Sequence, residues 1–482
     1  MLVSKIFKNP NILYILTRYG TYFVQLVNSI LIASYMGPNY LAIWGAISLV
    51  IQYATQFNLG IPHAANTILS INKHHTKYIN NVVGASFVLL FIINALISVG
   101  FVVLEYINPL FFQKYELGNY ILSIIIIAVG LNCSSLLSNV YRVHNRLFEI
   151  SFSQSILPVI TLIFLFFYRG EQLLHNLVCA YAITTIVSCL IFVLRFPIKI
   201  SWNFNTHLLG AIQKKGWNLF LYNSSFYLIM ITSRTFVSIY YPVEEFGFFT
   251  FSFSLANIFV LILESFSFLI WPKLLNKLSK QDNEQALTSI ENIRMVYITA
   301  NNVLIYLGIA IIPFVLLFFK DYSTTKNAFI TICIAQIIYS ASYGFQGLLI
   351  AKGKESIVAR ISVLVLVLNI VLCFLFANVL HISYDLLILA TAISYFVYVL
   401  MLSNRGLGLL SKSNNILDVF KISFGYATIL PLLSCIVGVV CNFDFYWYCV
   451  PFLVFIILNF KNCKKIMSYA NQIINNKDAF KI

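Results

Sequence analysis

The sequence predicts an all-α, polytopic membrane protein of about fourteen transmembrane helices, and three observations lead to this fold class. The chain has 482 residues, of which 60% are hydrophobic and only 10% are charged. Soluble domains carry about 25% charged residues, because their surface must be hydrated. Hydrophobic runs of about 20 residues recur along the chain, and each is long enough to cross a hydrocarbon core about 30 Å thick. Basic residues, the third observation, collect on alternate loops.

The hydrophobic runs between charge-bearing breaks give the order of the predicted spans. They fall at residues 12–36, 40–66, 80–104, 119–141, 150–168, 174–194, 217–241, 246–272, 295–319, 327–350, 357–380, 385–403, 417–440 and 444–460. The last two runs, and the division between the eleventh and the twelfth, are the least distinct. Totals of 12 and 14 helices therefore both remain open.

The charges between the spans predict the orientation. With a cytoplasmic N-terminus, 25 of the 31 Lys and Arg residues lie on the cytoplasmic side, four lie on the opposite side and two lie inside spans. This distribution satisfies the positive-inside rule throughout, so we expect both termini in the cytoplasm. No short apolar region ending in a small-residue cleavage site follows Met1, and we expect the first span to be retained.

The chain also repeats its landmarks at an offset of about 205 residues. The turn at 33–44, between spans one and two, corresponds to the turn at 238–249, between spans seven and eight. Ile61-Pro62 closes span two as Trp271-Pro272 closes span eight. Residues 145–149 after span four match residues 351–355 after span ten. Since each repeating unit has six spans, we expect two parallel repeats about an axis along the membrane normal.

This repeat predicts four regions. They are a six-helix lobe at 1–198, a cytoplasmic amphipathic linker at 199–216, a second six-helix lobe at 217–410, and two further helices with a basic cytoplasmic tail at 411–482. Apolar residues alternate with Lys and His over residues 199–215, which predicts a helix lying in the membrane interface. The basic tail has the same pattern.

Three charged residues fall inside predicted spans: Arg18 in span one, Arg234 in span seven and Glu264 in span eight. An ionised group at mid-bilayer costs about 2.5–3.5 kcal/mol or more, so each needs a partner or a function. Further polar residues lie on the same helix faces, at steps of three, four or seven. These are Tyr22, Gln25 and Ser29 in span one, Ser48, Gln52 and Gln56 in span two, Asn223, Tyr227 and Ser238 in span seven, and Ser254 or Asn257 in span eight. Four such stripes predict a water-filled cavity at the interface of the two lobes.

Each of these residues also has a structural interpretation. Arg18 and Arg234 both lie about two helical turns from a membrane surface, so either guanidinium can extend along its stem to the headgroups. Glu264 is too short for that, and its alternatives are an ion pair with Arg234 or a protonated carboxyl bonded between helices. The Gln, Asn and Ser stripes equally suit hydrogen bonds between helices.

The landmark residues resemble those of a known family, the Wzx-type flippases, which form the polysaccharide-exporting branch of the multidrug/oligosaccharidyl-lipid/polysaccharide (MOP) exporter superfamily. The resemblance is carried by Tyr35-Met-Gly-Pro-Asn-Tyr-Leu-Ala-Ile-Trp44, by the Asn-Leu-Gly-Ile-Pro run at 58–62, and by the turn at 141–149 with its partner at 352–355. It covers the whole chain in span number and repeat layout. It implies a MATE-like fold with a cationic, V-shaped cavity lined mainly by spans one, two, seven and eight.

The resemblance also implies a function. Such proteins flip undecaprenyl-pyrophosphate-linked oligosaccharides, for example O-antigen units of lipopolysaccharide, from the cytoplasmic to the periplasmic leaflet of the bacterial inner membrane. Arg18 and Arg234 would attract the diphosphate, since a guanidinium fork suits phosphate oxygens. Amides, hydroxyls and tyrosines would meet the sugar, and Glu264 would exchange the proton that couples transport to the proton gradient. Membrane lipids and a polysaccharide polymerase or chain-length machinery are the expected partners.

Other functions receive less support. A drug or cation antiporter of the same superfamily is the first alternative, but such antiporters usually carry acidic residues deep in the first lobe. A membrane glycosyltransferase or polymerase needs a large external loop, and the external loops here are short. A scaffold that recruits soluble partners through basic loops is the third. Nine scattered cysteines, unclustered histidines and the absence of a Gly-rich phosphate loop predict no metal, no cofactor, no catalytic residues and no nucleotide hydrolysis. The net charge of +15 follows from topology and does not imply nucleic acid.

Overall fold

A computed structural model describes residues 10–72, 75–144, 146–202, 206–410, 415–443 and 445–475. Every regular element in these ranges is helical, and none of the described residues forms a strand. The chain divides into two compact units, Met1–Thr250 and Phe251–Ile482. The boundary falls inside one long helix. Because every regular element of the described ranges is helical and many of these helices are long and apolar, the prediction of an all-α membrane protein is confirmed.

The described part of the first unit contains eight helices and the start of a ninth. They are α1 (Pro10–Gln56), α2 (Ile61–Ile71), α3 (Thr76–Ile107), the short α4 (Pro109–Lys114), α5 (Ile121–Val143), α6 (Leu147–Phe167), α7 (Gly170–Leu194), α8 (Thr206–Tyr240) and the beginning of α9 (Val243–Lys280). A 3₁₀ turn, Leu117–Tyr120, precedes α5.

The long helix α1 contains the first predicted span and most of the second, separated by a kink. Gly37 has φ 73° and ψ 168°, and Pro38 follows it. A proline inside a helix removes a hydrogen bond and clashes with the preceding turn, which explains the change of direction. Gly247 of α9 packs directly on this kink, since a Cβ at that position would collide with the Pro38 carbonyl oxygen.

The second predicted span does not run unbroken to residue 66. The helix ends at Gln56, and α2 begins at Ile61 with a proline in its first turn. Leu59 and Gly60 between them have φ values of 51° and 69°. This left-handed turn brings Gly60 against α8, where an added Cβ would collide with the Gly216 carbonyl oxygen. Ile61-Pro62 therefore opens a short helix, whereas Pro272 lies within the continuous helix α9.

The helix of the seventh predicted span begins earlier than its apolar run. Residues 199–202 are not helical, and α8 continues without interruption from Thr206 to Tyr240. Within the described part of the predicted linker, residues 206–216 are therefore helical and continuous with the helix that follows them. Ile212 of this extension is fully buried against apolar residues of α2 and α3. That packing explains why the amphipathic segment joins the helix that follows it.

The described part of the second unit contains the rest of α9 and nine further helices. They are α10 (Asn283–Phe318), α11 (Lys326–Ser340), α12 (Phe345–Ala351), α13 (Glu355–Phe374), α14 (Leu389–Leu409), α15 (Ile416–Ser423), α16 (Tyr426–Val440), α17 (Cys449–Leu458) and α18 (Phe460–Asn475). A π-helical turn, Leu375–Val379, extends α13. The tenth predicted span is two helices, α11 and α12, which meet at 43°.

The thirteenth and fourteenth predicted spans also differ from single straight helices. The pair α15 and α16 is bent by 77° at residues 424–425. The apolar helix after it extends only over Tyr446–Leu458. Within the described ranges, nine helices are long and apolar enough to cross a membrane, or up to 11 if each bent pair is one span. That count includes α1 once although it holds parts of two predicted spans, so the chain is a multi-pass membrane protein.

Candidate functional site

The N-terminal half of α1 presents part of the predicted polar stripe. The Arg18 guanidinium donates a hydrogen bond to the Tyr22 hydroxyl, and its Cζ lies 4.6 Å from the centre of the Tyr22 ring. Arg18 is half-buried and Tyr22 is buried. The Nε atom of Arg18 and the Oε1 atom of Gln25 are both buried without a hydrogen-bond partner among the described residues. On this face of α1, the Arg18 Nε donor and the Gln25 Oε1 acceptor are therefore available to a ligand.

A neighbouring face of the same half-helix is fixed to α6. The Thr21 hydroxyl lies 2.7 Å from the Ser155 hydroxyl, and Asn28 Nδ2 donates to the Pro158 carbonyl oxygen at 2.7 Å. Thr21 and Asn28 are 5% and 4% exposed, so these bonds are buried in the first unit. They set the rotation of α1 and with it the direction of the stripe that carries Arg18.

Arg234 of α8 is buried and bonded to the second half of α1. Its Nη2 donates to the Gly45 carbonyl oxygen at 2.8 Å, and its Nη1 donates to Gln52 Oε1 at 3.3 Å. Its Cζ lies 5.8 Å from the centre of the Phe246 ring. With 3% of the residue exposed, Arg234 does not extend to the membrane surface. Two residues predicted for one site, Arg234 and Gln52, are thus brought together.

The close approach of helices around Arg234 depends on Gly45. An added Cβ at Gly45 would collide with Thr250 Oγ1, at the start of α9. Next to Gln52 in the chain, the Tyr53 hydroxyl lies 2.6 Å from Thr235 Oγ1 and forms a second bond between α1 and α8. The sequence pattern did not select Tyr53 or Thr235, because each lies beside the polar stripe and not on it.

The C-terminal end of α8 is held by the short helix α4 and the residue that follows it. Lys114 Nζ donates to the carbonyl oxygens of Ser238 and Tyr241, each at 2.8 Å, and the Tyr115 hydroxyl donates to Ser238 at 2.7 Å. The last carbonyls of a helix lack partners within it, and a cation there also complements the helix dipole. Burial lowers the pKa of the Lys114 ammonium and raises the pKa of the Tyr115 phenol.

Two more predicted residues, Gln56 and Asn223, line a polar cavity of about 170 Å³ inside the first unit. The break between α1 and α2 supplies one wall and α8 another, joined by the bond from the Ser224 hydroxyl to the Gln56 carbonyl oxygen at 3.3 Å. The other lining residues are Thr55, Asn58, Gly60, His63, Leu131, Asn132, Ser135, Phe220 and Ser224. Hydroxyl and amide groups dominate this set, and none of these residues carries a carboxylate.

Asn132 of α5 lines the same cavity and was not predicted. It is 1% exposed, and its Nδ2 donates to Asn94 Oδ1 of α3 at 2.8 Å. Its Oδ1 is buried without a hydrogen-bond partner among the described residues. The signal in the sequence was the polar group Asn132-Cys-Ser-Ser135 inside an apolar span. It was missed because polar stripes were sought only in spans one, two, seven and eight.

The remaining predicted residues belong to the other part of α9. Asn257 is half-buried in the second unit. The backbone of Glu264 is helical, but its side chain lies outside the part of the chain that the structure describes. The predicted ion pair with Arg234 and the predicted proton exchange therefore stay predictions.

A further arginine, Arg294, is buried although it lies outside the predicted spans. It was assigned to a cytoplasmic segment, and in the structure it lies about three turns into α10 and is 5% exposed. Its guanidinium donates to the carbonyl oxygens of Ala341 and Tyr343 and, at 3.4 Å, of Ile422. These carbonyls belong to helix ends at the two bent pairs, so Arg294 supplies donors where the helices lose theirs.

The chemistry of the first unit follows from these groups. Arg18 of α1 and Arg234 of α8 carry guanidiniums, which bind phosphate oxygens, and the polar cavity offers neutral donors and acceptors. The described residues contain no group of three or more His, Cys, Asp or Glu side chains that could hold a metal ion. These features suit an uncharged polar ligand joined to an anionic group.

Comparison with solved structures shows the fold. The chain matches lipid II flippase MurJ in an inward closed conformation with a TM-score of 0.66 and 17% identity, covering 96% of this chain and 100% of MurJ. It matches an inward-facing multidrug resistance MATE family transporter of the MOP superfamily with a TM-score of 0.65 and 13% identity, covering 83% and 99% of the two chains. It matches an outward-facing MATE family transporter with a TM-score of 0.58 and 13% identity, covering 84% of this chain and 98% of that transporter.

The fold and the helical spans together define a multi-pass membrane protein with the architecture shared by MurJ and MATE transporters. The predicted MATE-like fold is confirmed. No family model matches the chain, and no curated protein matches its sequence. The Wzx-type resemblance therefore stays a prediction.

Proposed function

We propose that this protein is a flippase for lipid-linked oligosaccharides, moving a diphosphate-linked sugar chain from the cytoplasmic to the periplasmic leaflet of a bacterial inner membrane by alternating access. The observation that carries the proposal is the sign of the charge in α1 and α8. Arg18 and Arg234 lie inside a fold shared with lipid II flippase MurJ, and every charged residue in the sequence of α1 and α8 is basic. A diphosphate needs cations, whereas a drug cation needs acids.

The polar cavity is the evidence for the proposal that the substrate contains a sugar. Its volume of about 170 Å³ is below the roughly 300–1,000 Å³ of sites for drug-sized ligands, so it suits one sugar ring. Amide and hydroxyl groups from Gln56, Asn223 and Ser135 match the donors and acceptors of sugar hydroxyls. We assign these residues, with Tyr22, Gln25 and Gln52, to the path of the headgroup.

Export complementation tests the proposal. The gene is deleted, surface polysaccharide and lipid-linked intermediates are measured, and the intact chain or variants are restored. Arg18→Ala and Arg234→Ala should fail although they reach the membrane, and the lipid-linked unit should accumulate inside. Arg195→Ala is the matched control, since Arg195 is an exposed arginine at the end of α7. Unchanged polysaccharide together with raised drug sensitivity would favour the cation antiporter.

Glu264 is proposed as the proton-coupling residue, and a separate experiment addresses it. It is the only acid of the eighth predicted span, and its backbone lies within α9. Glu264→Gln should allow transport down a substrate gradient but remove its dependence on a pH gradient. If the Gln variant keeps full pH-gradient dependence in vesicles, another group carries the proton.

A further inference from the structure

A groove in the second unit, between α13 and α14, has no role in the proposed function. Its volume is about 420 Å³, and three polar side chains line it: Arg360, Asn404 and Arg405. All three are exposed. Among the described residues, neither guanidinium has a hydrogen bond or an ion pair. Two unpaired arginines on one groove form a site for an anion, because each presents a fork of N–H donors.

The two arginines lie at the same depth in the membrane. Arg360 follows the start of α13 at Glu355 by five residues, and Arg405 precedes the end of α14 at Leu409 by four. At 1.5 Å per residue, these offsets place them about 7.5 Å and about 6 Å inside the helix ends. The helices are consecutive, antiparallel neighbours packed against each other, so both ends lie at one membrane surface. The charge distribution assigns that surface to the cytoplasm.

The rest of the groove is apolar and leads away from the arginines. Ile357, Ile361 and Leu364 lie on one face of α13, at spacings of four and three residues, and Met401 lies one turn before Arg405 on α14. Leu364 is 60% exposed, one turn deeper in the membrane than Arg360. The groove thus combines a cationic end at the headgroup level with an apolar wall in the hydrocarbon region. That combination matches an amphipathic lipid, not a free anion.

We propose that this groove binds an anionic glycerophospholipid of the cytoplasmic leaflet. Its phosphate lies between Arg360 and Arg405, the Asn404 amide donates to a headgroup oxygen, and one acyl chain lies against Leu364. The volume is within the roughly 300–1,000 Å³ range of small-molecule sites. The cytoplasmic leaflet carries the anionic lipids, which attract basic residues close to the surface. The site is separate from the residues assigned to the transported headgroup.

Lipid retention by the purified full-length protein tests this site. Native mass spectrometry after exchange into mixed micelles of phosphatidylglycerol and phosphatidylcholine would count the lipids retained. Wild type should prefer phosphatidylglycerol. Arg360→Ala and Arg405→Ala should each lower the retained fraction about fivefold, since each basic residue near the surface contributes about that factor. The double variant Lys280→Ala/Lys464→Ala removes two exposed lysines elsewhere on this side and should retain as much as wild type.

Two further measurements test whether the retained phospholipid occupies this groove. Leu364→Trp fills the apolar wall while leaving both arginines, and it should also reduce retention. Undecaprenyl pyrophosphate added as competitor should not displace the phosphatidylglycerol. Equal retention of the two phospholipids, wild-type retention by the arginine variants, or displacement by undecaprenyl pyrophosphate would overturn the proposal. Because these readouts do not involve transport, they are independent of the proposed flippase activity.

Discussion

Each unit of the protein buries an arginine, and the two are used differently. Arg234 in the first unit bonds the backbone carbonyl of Gly45 and the side-chain amide of Gln52. Arg294 in the second unit bonds three backbone carbonyls, those of Ala341, Tyr343 and Ile422. Arg234 therefore joins two helices through a polar stripe, whereas Arg294 completes helix ends that lack their own donors.

This difference teaches that burial of a charge does not by itself identify a functional residue. The partners of Arg294 are fixed by the backbone, so its loss should weaken the fold whatever the protein transports. The Gln52 side chain can rotate, and Arg234 can exchange that bond for one to a phosphate oxygen. The following predictions test this distinction, from the largest expected effect to the smallest.

Arg294→Met should destabilise the protein most. It leaves carbonyls at two bent helix pairs without donors, and each lost bond to a charged group costs about 1.5–3 kcal/mol. For the three bonds, we expect a loss of roughly 4.5 kcal/mol or more in the free energy of unfolding, measured by thermal unfolding in detergent. Arg294→Lys can replace only some of these hydrogen bonds, so its stability should lie between those of wild type and Arg294→Met. A Met variant as stable as wild type would show that the carbonyls find other partners.

Arg234→Met should lower stability less than Arg294→Met does. Its effect on transport should be larger. The substitution removes the hydrogen bonds to Gly45 and Gln52, at a cost of roughly 3 kcal/mol or more. Folded, membrane-inserted protein should remain, yet export should stop. Gln52→Leu removes one partner, and we expect partial export. The control is Arg294→Lys, which should keep export in proportion to the amount of folded protein. Normal export by a folded Arg234→Met protein would place this arginine among the structural residues.

Gly344→Ala should destabilise through both the backbone and crowding. Gly344 has φ 93°, and an added Cβ would lie 2.7 Å from Arg294 Cγ. Strain of this kind costs about 1–3 kcal/mol. Gly353→Ala is the matched control, since φ there is 70° with nothing within 4 Å. The difference between the two unfolding midpoints measures the crowding against Arg294. Equal midpoints would mean that Arg294 shifts without cost.

Tyr53→Phe should have the smallest effect. It removes the hydroxyl bond to Thr235, worth about 0.5–1.5 kcal/mol, and leaves the ring in place. A double-mutant cycle with Thr235→Val, followed by thermal unfolding, isolates the interaction between the two hydroxyls. A coupling energy of zero would contradict the bond between α1 and α8.

The sequence was sufficient for the fold class, and it also selected some residues that the structure brings together. Apolar run length determines where a helix can cross a bilayer, and charge determines which loops stay at its surface. Helical periodicity then placed Arg234 and Gln52 on stripes that meet in the structure, and it placed Gln56 and Asn223 at one cavity. These relations depend on local sequence, which is why they were accessible.

The features that were missed depend on tertiary contacts. The break at Leu59–Gly60 requires a backbone approach to Gly216, which no run length encodes. Arg294 follows a charged segment, so its position suggested a loop, and only the bent helices that it contacts reveal its burial. Asn132 lies in span four, outside the four spans to which the predicted stripes were confined, and its partner Asn94 lies in span three. The extension of α8 to Thr206 likewise depends on the packing of Ile212.

Reconstituted flipping tests the central claim most directly. Proteoliposomes would contain the purified protein and a fluorescent undecaprenyl-pyrophosphate-linked oligosaccharide, with a membrane-impermeant lectin reporting the outer leaflet. Wild type and Arg195→Ala should move the lipid between leaflets, and Arg234→Met should not. If wild type leaves the lipid in place but exchanges a drug cation across the same vesicles, the flippase account is contradicted and the protein is an antiporter on this fold.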